Sequence, residues 1–160
     1  MSSRSGFAPR SRRWSKFVTR AESALSHASQ QPENEEHFLA AAALDLHGFY
    51  TGVERLLELI ARDVDQSVPS GPTWHRDLLA QLALPISPLR PAVLSPETHG
   101  RLSDYLAFRH IIRNVYTFDL KLDRVAELTR GLRRAFEMVS HDLLAFAAFL
   151  DGLATADQYQ

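Results

Sequence analysis

The chain contains no cysteine, which excludes disulfides, thiolate metal sites and a cysteine nucleophile and suits a reducing, cytoplasmic environment. No uninterrupted apolar run approaches the roughly 18 residues that a membrane-spanning helix needs. The sequence also has no alternating strand pattern, no internal repeat, no glycine-rich phosphate loop and no nucleophile-elbow motif. The histidines lack the spacing of metal ligands. These absences predict a protein with no metal, no cofactor and no membrane contact.

Acidic residues are missing from the first twenty positions, which carry six basic residues. The net charge of the whole chain is −1, so the rest of the chain is acidic. An acidic body is unsuited to coating nucleic acid, and any RNA binding must therefore occur at a local site. The basic start is similar in composition to an organellar transit peptide, and it also fits a flexible basic tail or a start codon placed too early.

Apolar residues at three- and four-residue steps predict an all-α protein. We predict helices over 14–29, 35–65, 74–82, 96–116 and 121–153. Ser95 and Pro96 form a typical helix start, and prolines mark an irregular, extended crossover between the third and fourth of these helices. The predicted architecture is an antiparallel bundle of four main helices plus one short helix. Residues 1–12 are predicted to be a disordered basic tail, and 13–155 a single helical domain.

Two glycines lie four residues apart on one face of the second predicted helix. Gly48 and Gly52 each cost up to about 1 kcal/mol of helix stability relative to alanine. We interpret them as positions where a second helix approaches closely.

The segment 105–116 has the densest set of side chains that could perform chemistry. On a helix, Arg109, Arg113 and Tyr116 fall on one face, and His110 and Asn114 form a second polar edge. Guanidinium groups beside an imidazole and an amide predict a phosphate-binding surface. From 109 to 134 there are seven basic and three acidic residues, a locally positive stretch. The competing interpretation is a solvated face with weak ion pairs.

The same residues resemble the HEPN superfamily, and within it the HepT-like ribonuclease toxins, whose motif is Arg, four residues, His, one residue and Tyr. Arg109 matches the arginine, His110 the polar residue that follows it, and Tyr116 the tyrosine. The resemblance extends over about 35–153. It is also carried by three further segments: Phe49-Tyr50, Trp74-His75-Arg76 and Leu89-Arg90-Pro91.

The resemblance implies a homodimer with a composite, metal-independent endoribonuclease site. Arg109, His110 and the residue at 114 would be catalytic, and Arg113 would bind the substrate phosphate. It also implies a partner, a minimal nucleotidyltransferase antitoxin. In some pairs this antitoxin transfers AMP to the tyrosine of the motif, here Tyr116, and the added anion would neutralise the adjacent arginine.

The chain departs from the family motif at Asn114, where the family has histidine. An amide cannot act as a general acid or base near neutral pH. His110 and, more distantly, His75 are the candidates for the missing base, and the competing interpretation of His75 is a surface residue of an amphipathic helix. Three hypotheses follow: an active ribonuclease toxin, an inactive HEPN domain that binds protein or RNA, and a helical structural protein with no site.

Overall fold

The computed structural model describes the backbone of residues 3–114 and 121–157, with side chains over 11–109 and 121–156. The described part is 81% helical and contains no strand, which confirms the all-α prediction. It consists of a short 3-10 turn, Pro32–Asn34, and five α-helices: α1 (Ser3–Gln30), α2 (Glu35–Asp63), α3 (Trp74–Leu82), α4 (Pro96–Asn114) and α5 (Leu122–Asp157).

Four of the five helices begin within a residue of the predicted position. The exception is α1, which begins at Ser3 rather than at Trp14. A helix can continue through a polar segment that has no apolar stripe, so apolar spacing does not mark such a start. The division into a tail over 1–12 and a domain over 13–155 stays a prediction.

Helix α2 is the centre of the molecule, because it packs against all four of the other helices. Aromatic rings bridge the core across it. Phe49 meets Trp14 of α1 edge-on at 6.4 Å between ring centroids, and Tyr105 of α4 at 5.8 Å. All three rings are almost fully buried. Apolar residues spaced along α5, including Val125, Leu132 and Val139, are buried too. The antiparallel four-helix arrangement stays a prediction.

Close approach of α1 and α2 explains the two glycines, as predicted. A Cβ atom at Gly52 would lie 2.5 Å from Nε1 of Trp14, and one at Gly48 would lie 2.6 Å from Cε1 of Phe17. The absence of side chains therefore lets two aromatic rings of α1 rest on the backbone of α2.

The segment between α3 and α4 is folded back rather than extended, contrary to the prediction from its prolines. Ile86 and Arg90 form an antiparallel bridge, with backbone hydrogen bonds of 2.9 and 2.8 Å. At its end, the Ser95 hydroxyl accepts a hydrogen bond from the backbone N–H of Thr98 at 3.2 Å and caps α4 as predicted. This segment, hereafter the connector, thus fixes the residue at which α4 begins.

By length and mean hydropathy α5 could also cross a bilayer, and it is the only helix in the described ranges that could. Core helices of soluble proteins pass the same test. In this fold α5 packs against α1, α2 and α4.

Candidate functional site

Arg109 lies on α4 directly after the buried Phe108, and its side chain is turned into the protein. Only 12% of that side chain is exposed, whereas the competing interpretation from the sequence was a solvated face. A guanidinium is rarely buried without partners, since its desolvation costs several kcal/mol. The partners of Arg109 come from α2 and α3.

Glu54 of α2, His75 of α3 and Arg109 form a continuous chain of contacts, hereafter the Glu54–His75–Arg109 cluster. Arg109 Nη1 donates to His75 Nε2 at 3.0 Å, and His75 Nδ1 donates to Glu54 Oε2 at 2.7 Å. Arg109 Nη2 also lies 3.7 Å from Glu54 Oε1. The side chains of Glu54 and His75 are 6% and 8% exposed. Three helices thus each contribute one polar group to a single buried point.

The contacts assign the state of the imidazole. His75 Nε2 faces a guanidinium, which can only donate, so this nitrogen must be the acceptor. The proton of a neutral ring is then on Nδ1, where it is donated to the Glu54 carboxylate. The indole ring of Trp74 packs against the imidazole ring of His75, with 3.7 Å between the ring centroids. The cluster therefore holds one negative charge, one positive charge and a neutral histidine of fixed tautomer.

Tyr50 lies one helical turn before Glu54 and is 1% exposed. Burial raises the pKa of the Tyr50 phenol well above its usual value, and the charge of Glu54 raises it further, while Arg109 opposes both. The phenol is therefore a neutral group beside the carboxylate.

A cleft of about 320 Å³ opens beside the cluster between the start of α3 and the middle of α4. His75 is the member of the cluster that lines it. The remaining walls combine apolar and polar side chains: Pro72, Thr73, Arg76, Ser103, Leu106 and Ala107. The wall of this open cleft is mainly apolar, with a few polar groups.

The structure describes only part of the predicted site. Arg109 is brought together with His75, which the sequence named as a candidate base. The backbone of His110, Arg113 and Asn114 forms the end of α4, but their side chains lie outside the described residues. Tyr116 lies outside them entirely. The grouping of these four with Arg109 stays a prediction.

Part of the basic stretch that follows is paired with acidic residues of α1, α4 and α5. Arg133 donates to Glu22 of α1 at 2.6 Å. Arg124 pairs with Glu127 at 2.7 Å and with Asp104 of α4 at 3.5 Å. These ion pairs favour the interpretation as a solvated face for this part of α5.

Glu54 was not predicted from the sequence, because a single acid on a helix is usually a solvated residue. A signal was present: Glu54 lies between the buried Val53 and Leu57 and one turn after Tyr50, on the core side of α2. An acid at a core position requires a cationic or hydrogen-bonding partner. The interpretation of His75 as a surface residue was wrong, because the same carboxylate draws it into the protein.

Among the residues that the structure describes, no three acidic or histidine side chains are grouped in a way that could hold a metal ion. The Glu54–His75–Arg109 cluster can act through charge and proton transfer. Its guanidinium can stabilise an anion, and its imidazole can accept or donate a proton.

Comparison with known proteins identifies a family to which the chain is similar. No curated protein and no solved structure matches the chain. A family model described as "HepT-like protein" matches residues 41–150, which include all three members of the cluster and more than half of the chain. The chain belongs to the HepT-like family of the HEPN superfamily.

Proposed function

We propose that this chain is a metal-independent endoribonuclease and the toxin component of a toxin–antitoxin pair. One observation carries the proposal. The Arg109 guanidinium is held by Glu54 and His75 beside an open cleft, in a chain of the HepT-like family. Arg109 is also the residue that matches the arginine of the family motif.

The position of Arg109 suits it to stabilise a phosphate during RNA cleavage. Negative charge builds up on the phosphate as the 2′-oxygen attacks it, and a fixed cation lowers the energy of that state. The side chain is mostly withdrawn from water, so its hydrogen bonds to an anion are stronger than at the surface. Its Nε atom is buried and has no hydrogen-bond partner within the described part of the chain. A phosphate could use this unsatisfied donor once the side chain turns toward the cleft.

The working unit in this proposal is a homodimer. The family resemblance implies that the motif residues of two chains face each other, so that each site takes groups from both. In this chain those groups are Arg109, His110, Arg113 and Asn114. Equilibrium sedimentation of the purified chain should give twice the monomer mass, and a monomer at micromolar concentration would argue against a composite site.

The proposed partner is a minimal nucleotidyltransferase that acts as the antitoxin. Transfer of AMP to Tyr116 would place a bulky anion within two helical turns of Arg109 in sequence. The guanidinium would then bind that anion in place of RNA, which explains inhibition by charge rather than by unfolding. Expression of the chain alone should arrest growth, and co-expression of the partner should relieve the arrest.

A second function is favoured by the residue at position 114. Asn114 stands where the family motif has histidine, and an amide does not transfer protons near neutral pH. On this alternative the chain is an inactive HEPN domain, and the Arg109 site binds RNA or a protein partner without cutting. The two functions share the same fold and the same arginine and differ only in turnover.

RNA cleavage by the purified chain in EDTA separates them. We expect the wild type to cut a labelled RNA and Arg109→Ala to lose about 10²–10³-fold in rate, the usual effect of removing one charge-stabilising donor. Arg101→Ala is the matched control, because Arg101 is an exposed arginine on the same helix, and it should retain wild-type rate. If the wild type is inert and Asn114→His gains activity, the inactive binding domain is the correct function.

A further inference from the structure

His75 is the point at which the buried cluster meets the cleft. One of its ring nitrogens donates to Glu54, and the other accepts from Arg109. Its ring also lines the cavity of about 320 Å³. The imidazole of His75 therefore lies beside Arg109, the arginine of the family motif, and also faces the cleft, which a substrate could enter.

The nitrogen that would serve as a base is Nε2, and Arg109 covers it. A base needs an available lone pair, and here the guanidinium of Arg109 occupies that lone pair at 3.0 Å. The interaction is a hydrogen bond between a cation and a neutral acceptor. A phosphate carries a full negative charge and can bind the same fork at two points, so it competes strongly for the guanidinium.

We propose that His75 is the general base that replaces the missing motif histidine, and that substrate uncovers it by drawing Arg109 onto the phosphate. The inference rests on the ribonuclease function proposed above and deepens it. In the free protein, the hydrogen bond from Arg109 keeps Nε2 of His75 from acting as a base. In the complex the cation moves from Nε2 to the scissile phosphate, so one event positions the charge and frees the lone pair.

The reaction is then balanced by the groups present. Nε2 of His75 takes the proton of the ribose 2′-hydroxyl, and the 2′-oxygen forms a bond to phosphorus. The bond between phosphorus and the 5′-oxygen breaks, giving a 2′,3′-cyclic phosphate. The leaving 5′-oxygen takes a proton from water, His75 returns its own to the solvent, and Arg109 binds Nε2 again. No oxidant, reductant or further reactant is needed.

Glu54 acts as a positioning residue in this step. Its carboxylate accepts the Nδ1 proton at 2.7 Å, so Nε2 is kept as the basic nitrogen. When His75 becomes protonated, the same carboxylate stabilises the imidazolium. This is the role of the acid in hydrolases that use an acid, a histidine and a hydroxyl, although the nucleophile here belongs to the substrate.

The competing explanation is that His75 and Glu54 only hold Arg109 in place. Chemical rescue of His75→Ala separates the two roles. The substitution leaves a hole beside the cleft, and we expect cleavage of a dinucleotide-length RNA substrate to fall by about 10²–10⁴-fold, the usual contribution of a general base. Added imidazole should restore part of the rate. Added 1,2,4-triazole has nearly the same size and also accepts a hydrogen bond, but it is a far weaker base and should not.

Equal rescue by the two azoles would overturn the proposal, because filling the hole left by the substitution would then be sufficient to restore the rate. Retention of the wild-type rate by His75→Ala would overturn it as well. His141→Ala is the matched control, since the side chain of His141 is 84% exposed on α5, and it should cut at the wild-type rate. If the wild type does not cut RNA at all, the ribonuclease function itself fails, and this outcome is distinct from failure of His75 as base.

A second variant is available should His75→Ala fail to fold. Glu54→Gln keeps the shape of the side chain and an oxygen that can accept from Nδ1, but it removes the charge that stabilises the imidazolium. We expect kcat to fall by about tenfold or more with KM nearly unchanged. An unchanged kcat in this variant would contradict the proposed base.

Discussion

Asp65 and Arg90 are 25 residues apart in sequence and form a two-point ion pair that water barely reaches. Arg90 Nε lies 2.5 Å from Asp65 Oδ1 and Nη2 lies 2.6 Å from Oδ2, with the two side chains 0% and 1% exposed. The remaining donors of Arg90 bind the carbonyls of Leu84, Pro91 and Gln81. This pair ties the end of α2 to the connector that places α4, and with it Arg109.

The Asp65–Arg90 pair should make the protein sensitive to acid. Burial by itself would raise the pKa of Asp65, but hydrogen bonds from Arg90 and Gln81 outweigh it, and the pKa is lowered. The folded protein therefore binds fewer protons here than the unfolded chain, whose Asp pKa is about 3.9. The stability that this adds is complete above about pH 4 and is lost as the pH falls below it. Urea unfolding across pH 2–7 measures the loss.

Asp65→Asn tests the source of that acid sensitivity. It leaves Arg90 buried without its counter-charge, so we expect it to lower the free energy of unfolding by about 3–5 kcal/mol at pH 7. The further loss of stability in acid should then be smaller than in the wild type. Asp63→Asn is the matched control, because Asp63 is 67% exposed and pairs with its neighbour Arg62 at 3.2 Å. It should lose stability in acid as the wild type does. If Asp65→Asn loses as much stability in acid as the wild type, another carboxylate is responsible.

Adding one methyl group to α2 or α4 should have opposite effects on stability. At Gly52 the new carbon meets the rigid, buried Trp14 ring at 2.5 Å. Overpacking costs about 1–3 kcal/mol and exceeds the gain of about 1 kcal/mol in helix propensity. At Gly100 nothing lies within 4 Å, so Gly100→Ala should stabilise the protein by about 0.5–1 kcal/mol. Thermal melting of both variants gives the sign, and stabilisation by Gly52→Ala would disprove the tight contact between α1 and α2.

Glu54 and Arg109 should be energetically coupled. Arg109→Met leaves the Glu54 carboxylate buried beside a neutral histidine, and we expect a cost of about 3 kcal/mol. Adding Glu54→Gln removes the unpaired charge, so the double variant should be more stable than the sum of single losses predicts, by at least about 1 kcal/mol. The pair Arg124 and Asp104, half-exposed at 3.5 Å, is the control and should couple by less than 1 kcal/mol. Additive losses at Glu54 and Arg109 would mean that the two do not interact.

The helices could be predicted from sequence because their evidence is local. Apolar spacing of three and four residues determined the core faces, and Ser95 with Pro96 located the start of α4. The short helix α3 was predicted with its observed bounds, since prolines and glycine limit it on one side and a proline on the other. Local signals of this kind require no knowledge of which helices touch.

The cluster could be predicted only in part, because its contacts span long distances along the chain. His75 lies 21 residues from Glu54 and 34 from Arg109, and no periodicity joins positions so far apart. Arg109 and His75 were named as candidates from chemistry and family resemblance. Their contact, and the part of Glu54 in it, depends on how α2, α3 and α4 pack together.

Helix α1 lies outside the residues 41–150 that match the family, yet Trp14, Val18 and Ala21 within it are almost completely buried. An expression fragment trimmed to the matched residues would lose this covering. The groove at Gly48 and Gly52, and the apolar surface around it, would then face the solvent. Such a fragment should aggregate or bind chaperones, and loss of activity in it would say nothing about catalysis. Any fragment intended for assays should begin before Trp14.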